Sequence, residues 1–185
     1  FNKDVSFSIL ELLGRQLALF AKYSALSDNI RNASLSAQDI KELKTIQKSL
    51  ISHLKKGNFK NKYILYKSLG FNYLLEKNIE SAIENFKKSI DFWPKDKISG
   101  DYNILFTCQY FIKNDTLVAL QVIEQKIKNN LETAMPNPDD FVLKGNVLYT
   151  KNNFSGAEKA WQEAIAIRPV PNAYLGLSLL EMREK

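Results

Sequence analysis

Two triplets of residues at one spacing constrain this chain more than any other feature in it. Gly70, Ala82 and Pro94 stand twelve residues apart, and so do Gly145, Ala157 and Pro169. Large residues recur around both triplets. Tyr66, Leu69 and Tyr73 surround the first glycine, and Phe86 follows Ala82 by four. Phe141, Leu148 and Trp161 hold the matching places in the second copy, with Lys144 where the first has Leu69. Glycine and alanine are small where two helices must approach closely. The aromatics fill the space between neighbouring helices. Each proline lacks a donor and restricts the residue before it, so it ends the second helix. The expected unit is a tight helical hairpin, used twice.

With Tyr in place of Trp, residues 63–96 fill the pattern W-x2-L-G-x2-Y, then A-x3-F, then Pro, and residues 138–171 repeat the order. The pattern resembles the tetratricopeptide repeat (TPR) family. The resemblance implies an all-α chain of helical hairpins wound into a right-handed superhelical solenoid. It also implies a module that binds other proteins, as adaptor, assembly factor or chaperone-like scaffold. Between the two copies lies a degenerate unit, 100–133. Its Ala119 is 37 residues after Ala82 and 38 before Ala157. Tyr110 and Ala119 take their expected places, Thr107 replaces the glycine and Leu131 the closing proline. The second helix of that unit is expected to run long, through Val118, Val122, Ile127 and Leu131. Asn137 then caps and Pro138 opens the next helix, with Asp139 and Asp140 favourable in its first turn.

Residues 1–62 lack the pattern. Stepping back 34 residues from Gly70 and Ala82 reaches Ser36 and Lys48, neither suited to tight helix packing. Helical periodicity is nonetheless clear there. Val5, Ile9, Leu12, Leu19, Tyr23 and Leu26 form one stripe, and Leu10, Leu13, Leu17 and Phe20 an adjoining one. A helix over 4–26 with so wide an apolar face suits packing on two sides. After a polar loop, Ser27–Ser36, Ser36 caps a second helix, with Asp39 as a capping-box carboxylate. Ile40, Leu43, Ile46, Leu50 and Leu54 hold its apolar face until Gly57 stops it. The pair reads as an N-terminal hairpin. At the other end, Ala173, Leu175, Leu177 and Leu180 make 172–185 a capping helix over the last repeat.

Composition supports a folded helical chain, with 185 residues, 45% hydrophobic, 25% charged, 7 Gly and 5 Pro. The single Cys108 forms no internal disulfide, which fits a reducing compartment without establishing one. Glu11, Arg15, Gln16 and Lys22 interrupt the most apolar stretch, Val5 to Leu26, so it is not read as membrane-spanning. It also lacks the basic start and cleavage site of a signal peptide. The chain starts at Phe1 without Met, which leaves the compartment open. It is cytoplasmic, or periplasmic or membrane-attached if a leader or anchor was removed. Residues 1–62 carry 11 basic against 5 acidic residues, and the remainder balances, so the whole net charge of +6 lies before the first clear repeat.

Carried over from the TPR resemblance, the partner-binding groove is lined by the first helix of each unit. In the first repeat that face is Ile64, Lys67, Phe71, Leu74 and Leu75. In the middle unit it is Ile104, Cys108, Phe111 and Ile112, and in the third Val142, Asn146 and Tyr149. The set is mostly apolar and aromatic, which suits a partner helix or extended peptide with bulky anchors. The chain's own helix 4–26, or a second copy of the chain, are the other occupants weighed. TPR domains that capture chaperone tails use a clamp of Lys and Asn. Lys67 matches it, but Phe71 and Leu105 stand where Asn is needed, so that partner is not expected.

No catalytic, metal or cofactor site is expected. The single His53 cannot make a two-histidine site and is placed at a partly exposed edge. Cys108, on a helix in apolar context, reads as an inert thiol. No glycine-rich phosphate loop and no hydrolase motif occurs. The basic residues supply a different function class. Lys55, Lys56, Lys60 and Lys62 cluster around Gly57, with Phe59 and Tyr63 among them, and Lys41, Lys44 and Lys48 precede on the helix. Such a patch can tether the chain to an anionic membrane or a nucleic acid. Lys41, Lys44 and Lys48 at helical spacing also suit a plain solvated face.

Overall fold

In a computed structural model, residues 7–26, 35–57, 60–94 and 99–183 are described. The fold is all-α, with no strand among the described residues. The chain divides into two compact units, 1–93 and 94–185. The first holds α1 (Phe7–Leu26), α2 (Ala37–Lys56), α3 (Lys62–Leu75) and α4 (Ile79–Phe92). The second begins with α5 (Asp101–Thr107), which continues into a π-helical turn, Cys108–Ile112. It goes on with α6 (Thr116–Glu132), α7 (Pro138–Thr150), α8 (Phe154–Ile167) and α9 (Pro171–Arg183).

The two clear repeats are the hairpins α3–α4 and α7–α8, and the glycine spacing explains both. A β-carbon added to Gly70 would stand 2.7 Å from the Phe86 ring, and one at Gly145 would stand 2.6 Å from Cδ1 of Trp161. No real β-carbon sits so close, so each glycine is the space into which the aromatic of the second helix fits. Ala82 and Ala157 are fully buried on the opposite helices. Trp161 is confined twice, because a β-carbon on Gly176 of α9 would lie 2.7 Å from its ring as well.

The turns inside the hairpins repeat in detail. Lys77, Asn114 and Asn152 each adopt a left-handed backbone, at φ 60°, 55° and 58°. Each is followed by an N-cap, Asn78, Asp115 or Asn153, whose side chain accepts from a backbone N–H three residues on, at 3.2, 3.0 and 3.1 Å. Four residues beyond each cap comes Ala82, Ala119 or Ala157, whose N–H donates to the cap carbonyl at 3.0 Å. The middle unit is therefore a genuine third hairpin. It differs by one residue. In the outer repeats the cap N–H reaches back five residues, from Asn78 to Tyr73 and from Asn153 to Leu148, at 2.8 and 2.9 Å. Asp115 reaches back six, to Gln109, at 2.8 Å. The π turn holds the additional residue, closed by Lys113 N–H to the Cys108 carbonyl at 3.0 Å.

That additional residue corrects the register expected for α5. Thr107 is exposed, and Phe106, 3% exposed, occupies the place of the glycine. The pattern reads Tyr102, Leu105, Phe106 and Gln109, all buried, whereas Tyr110 is only half-buried. The unit also exchanges large for small across the hairpin. Phe106 replaces the glycine, and the buried Ile123 stands where the other repeats have Phe86 and Trp161. As expected, α6 is long and extends through Leu131.

In the first unit, α1 and α2 pack onto α3 around Ile9, Leu12, Leu19, Leu43, Ile46, Leu50, Leu65 and Leu69. Gln16, itself buried, donates from Nε2 to the Ser68 carbonyl. Ser36 caps α2 by accepting from Asp39 N–H at 3.1 Å, and Gly57 ends it at φ 73°. Residues 4–6, loop residues 27–34 and the stripe side chains of Phe20, Tyr23 and Leu26 lie outside the described part. The two-sided packing expected of α1 is not seen in what is described. One stripe is buried, while Leu10 and Leu17 on the adjoining one are 45% and 68% exposed. In the second unit, α9 covers Trp161 with Ala173 and Gly176. Its outer face is apolar, with Tyr174, Leu175, Leu179 and Met182 exposed, where a cap would carry polar residues.

The glycine–aromatic contact gives a direct test. Gly145→Ala should lower the unfolding free energy by about 1–3 kcal/mol, as overpacking does. Trp161→Leu should reduce that penalty by opening the same space, and urea denaturation of the two single variants and the double one measures both effects.

Candidate interaction surface

The three first helices present different chemistry. On α3, Leu74 and Leu75 are buried, at 7% and 6% exposed, and Leu75 joins the core formed with α1 and α2. Ile64, half-buried, packs against the same core. Phe71 sets its ring edge-on against Phe86, centroids 5.3 Å apart. Lys67 lies with Nζ 5.9 Å from the centroid of the Trp93 ring. This part of the expected groove is largely occupied by the unit's own packing.

In the second unit, the π turn sorts the expected residues. Cys108, at 1% exposed, points into the core. Its thiol is pushed up to about 11 by burial, so the inert role expected for it fits its surroundings. Phe111 and Ile112 turn outward, at 57% and 37% exposed. Phe111 stands edge-on to both Tyr110 and Phe106, centroids 4.9 and 6.5 Å away, and Tyr110 stacks on Phe106 at 5.4 Å. Ile104 is half-buried. On α7, Val142 is buried at 5%. Asn146 is exposed and accepts from Trp161 Nε1 at 3.2 Å, while Tyr149 is half-buried against Phe154 and Trp161. Leu74, Leu75, Cys108 and Val142 thus pack the interior and offer no surface in this state. Among the expected residues, the exposed large apolar ones, Phe111 and Ile112, lie on one turn.

A buried charge pair holds the first helices of this unit in place. Lys126 on α6, 4% exposed, donates to Asp140 Oδ1 on α7 at 2.5 Å and to Asn103 Oδ1 on α5 at 2.7 Å. Asn130 donates to the other Asp140 oxygen at 2.6 Å. Burial pushes the Asp140 carboxyl above its ordinary range, and its bond to Lys126 pulls the other way. Only Asp139 of the two acids serves as a plain surface group at the helix start, 3.5 Å from Arg168 Nη2. The sequence did hold a signal for Asp140, since a lysine on the apolar side of α6 needs a partner.

The expected basic patch is dispersed in its roles. Lys55 and Lys56 lie exposed in the last turn of α2, where cations offset the helix dipole. Lys60 is exposed, Lys62 sits 5.6 Å from the Phe92 ring, and Phe59 lies outside the described residues. His53 is half-buried, with Nδ1 2.8 Å from the Ser49 carbonyl. Among the described residues, no group of three or more His, Cys, Asp or Glu is placed to hold a metal ion. No helix among them is long and apolar enough to cross a membrane.

With this geometry in view, the fold is similar to that in the crystal structure of MamA. The TM-score is 0.57, at 18% sequence identity over 82% of this chain and 86% of that one. The likeness speaks for the fold, a chain of repeated helical hairpins. No protein-family model and no curated protein sequence matches the chain.

Replacing either partner of the buried pair should be costly. Lys126→Met or Asp140→Leu alone should each remove roughly 3–5 kcal/mol of stability by stranding a buried charge. The double substitution should cost much less than the sum, which a double-mutant cycle in urea reads directly. Simple additivity would show that the pair does not act as a unit.

Proposed function

We propose that the chain is a protein-interaction module of the TPR type, which holds a partner helix or extended segment against the first helices of its repeats and performs no chemistry. The exposed aromatic turn at Phe111 carries this reading. Tyr110 and Phe106 support the Phe111 ring from beneath, so it is presented to solvent in a fixed orientation. A rigid aromatic loses little freedom on docking, and such residues commonly supply most of an interface's energy. Tyr149, held between Phe154 and Trp161, is the second anchor.

A second reading rests on α1. Leu10 and Leu17, seven residues apart on one side of that helix, are exposed and suit self-association of two copies. Sedimentation over a concentration series tests it. The mass should rise with concentration in the wild type and stay monomeric in Leu10→Lys/Leu17→Lys. A wild type that remains monomeric at about 100 µM, a concentration at which even a weak apolar pairing populates the dimer, removes this reading.

For the principal reading, affinity capture from the source cell compares wild type with Phe111→Ala/Tyr149→Ala, with folding checked by circular dichroism. A specific partner should be recovered by the wild type and reduced roughly tenfold or more in the variant, as loss of an aromatic anchor predicts. Equal recovery by both proteins would show that the first-helix face is not the binding surface.

A further inference from the structure

The helix α2 carries a second surface, on a different element from the first-helix faces. Lys41, Lys44, Lys48 and Lys55 fall within about 60° of arc on an ideal helix, opposite its buried face of Leu43, Ile46 and Leu50. None of these four makes an ion pair with any described residue. Among the described residues, some lysines elsewhere are paired and others, such as Lys87, Lys151 and Lys159, are not. Lys88, Lys126, Lys128 and Lys144 each pair with a carboxylate. Nearby, Glu42 is paired with Arg15 at 2.9 Å, while Glu76 accepts from the neutral Gln47 Nε2 at 2.9 Å and keeps its charge. The row is therefore a line of lysines whose positive charge exceeds that of the carboxylate described beside it.

Along one edge of this row, two isoleucines stand among the lysines, in the order Ile40, Lys44, Lys48, Ile51, Lys55, over a rise of about 22 Å. Open depressions follow the edge and share Lys44. The first, about 510 Å³, is lined by the apolar Leu35, Ile40 and Leu75, by Lys44 and Lys77, and by Glu76 and Asn78. The second, about 430 Å³, lies among Lys44, Gln47, Lys48, Ile51 and Lys55. Lys77 is exposed and also lacks an ion pair among the described residues.

We propose that this flank of α2 is a docking site for an acidic segment of a partner protein that bears bulky apolar side chains. Carboxylates spaced along such a segment meet the lysine row, and an apolar side chain between them enters the depression at Leu35 and Ile40. The pairing of charge with apolar hollows selects this occupant. Single-stranded nucleic acid held without sequence readout wants aromatic stacking platforms beside the cations, and α2 has no Phe, Tyr or Trp. A bilayer surface presents a plane of headgroups and makes no use of a hollow rimmed by lysines. Complementary charge sets the approach and register, and the apolar anchor supplies the retention.

The test uses the whole chain and a fluorescein-labelled amphipathic peptide of alternating Glu with Leu and Phe, read by anisotropy. Its control carries Lys in place of Glu, and phosphatidylserine vesicles serve as the lipid probe. The acidic peptide should bind, and should weaken roughly tenfold or more in Lys44→Glu/Lys48→Glu. It should also weaken in Ile40→Asp, and as salt is raised from about 50 to about 300 mM. These side chains are exposed, so the variants should keep the wild-type circular dichroism. Phe111→Ala/Tyr149→Ala should leave peptide binding unchanged, which separates this surface from the first-helix faces. Equal binding of the Lys-bearing control, or indifference to Lys44→Glu/Lys48→Glu, overturns the proposal. Lysine-dependent capture of the vesicles without peptide binding overturns it as well.

Discussion

The two clear repeats of this fold depend on bringing two helices close enough for an aromatic ring to lie on bare backbone. Phe86 lies on Gly70, and Trp161 lies between Gly145 and Gly176. The contact excludes even one methyl group, so it fixes the separation of the helices and the register of one along the other. Close packing then reaches the next element in the chain, because Trp161 is gripped from α7 and from α9 together. A stack built this way gains its stability from neighbouring pairs of helices. The Lys126–Asp140 pair is a buried polar joint in such a stack, and it joins α6 to α7 where an apolar contact would allow sliding.

Much of this was legible in the sequence because the constraint is local. A glycine, an alanine twelve residues on and an aromatic four beyond that define a hairpin without reference to the rest of the chain. Caps are equally local, and Ser36, Gly57, Asn137 and Pro138 all act as their residue types dictate. The middle unit is harder to read because the spacing from the glycine place to the alanine is not kept in it. The cap residue gives a better anchor. Asn78, Asp115 and Asn153 each stand four residues before the alanine, and measuring back from the cap shows that the first helix of the middle unit holds one residue more. That residue appears as the π turn, which sends Cys108 inward and Phe111 outward.

The candidate surface was less legible, for a physical reason. Whether an apolar residue on a first helix faces a partner or the protein's own interior depends on which neighbours pack beside it. Leu74 and Leu75 resemble groove residues in the pattern, yet Leu75 belongs to the core that α1 and α2 build on α3. Leu10 and Leu17 resemble core residues by periodicity, yet they are exposed. Charged residues carried the same ambiguity. Asp139 and Asp140 are adjacent and chemically identical, but one faces Arg168 at the surface and the other is buried against Lys126. Periodicity specifies the angle at which a side chain leaves its helix, and says nothing of what stands at that angle.

The inward turn of Cys108 reaches beyond packing. It is the only sulfhydryl in the chain, it is buried, and its proton is held up to about 11. Thiolate is the form that attacks disulfides and reacts with oxidants, and at neutral pH this group offers almost none of it. The native fold therefore offers no reactive thiol. Glutathione and oxidising folding catalysts would leave Cys108 as they found it.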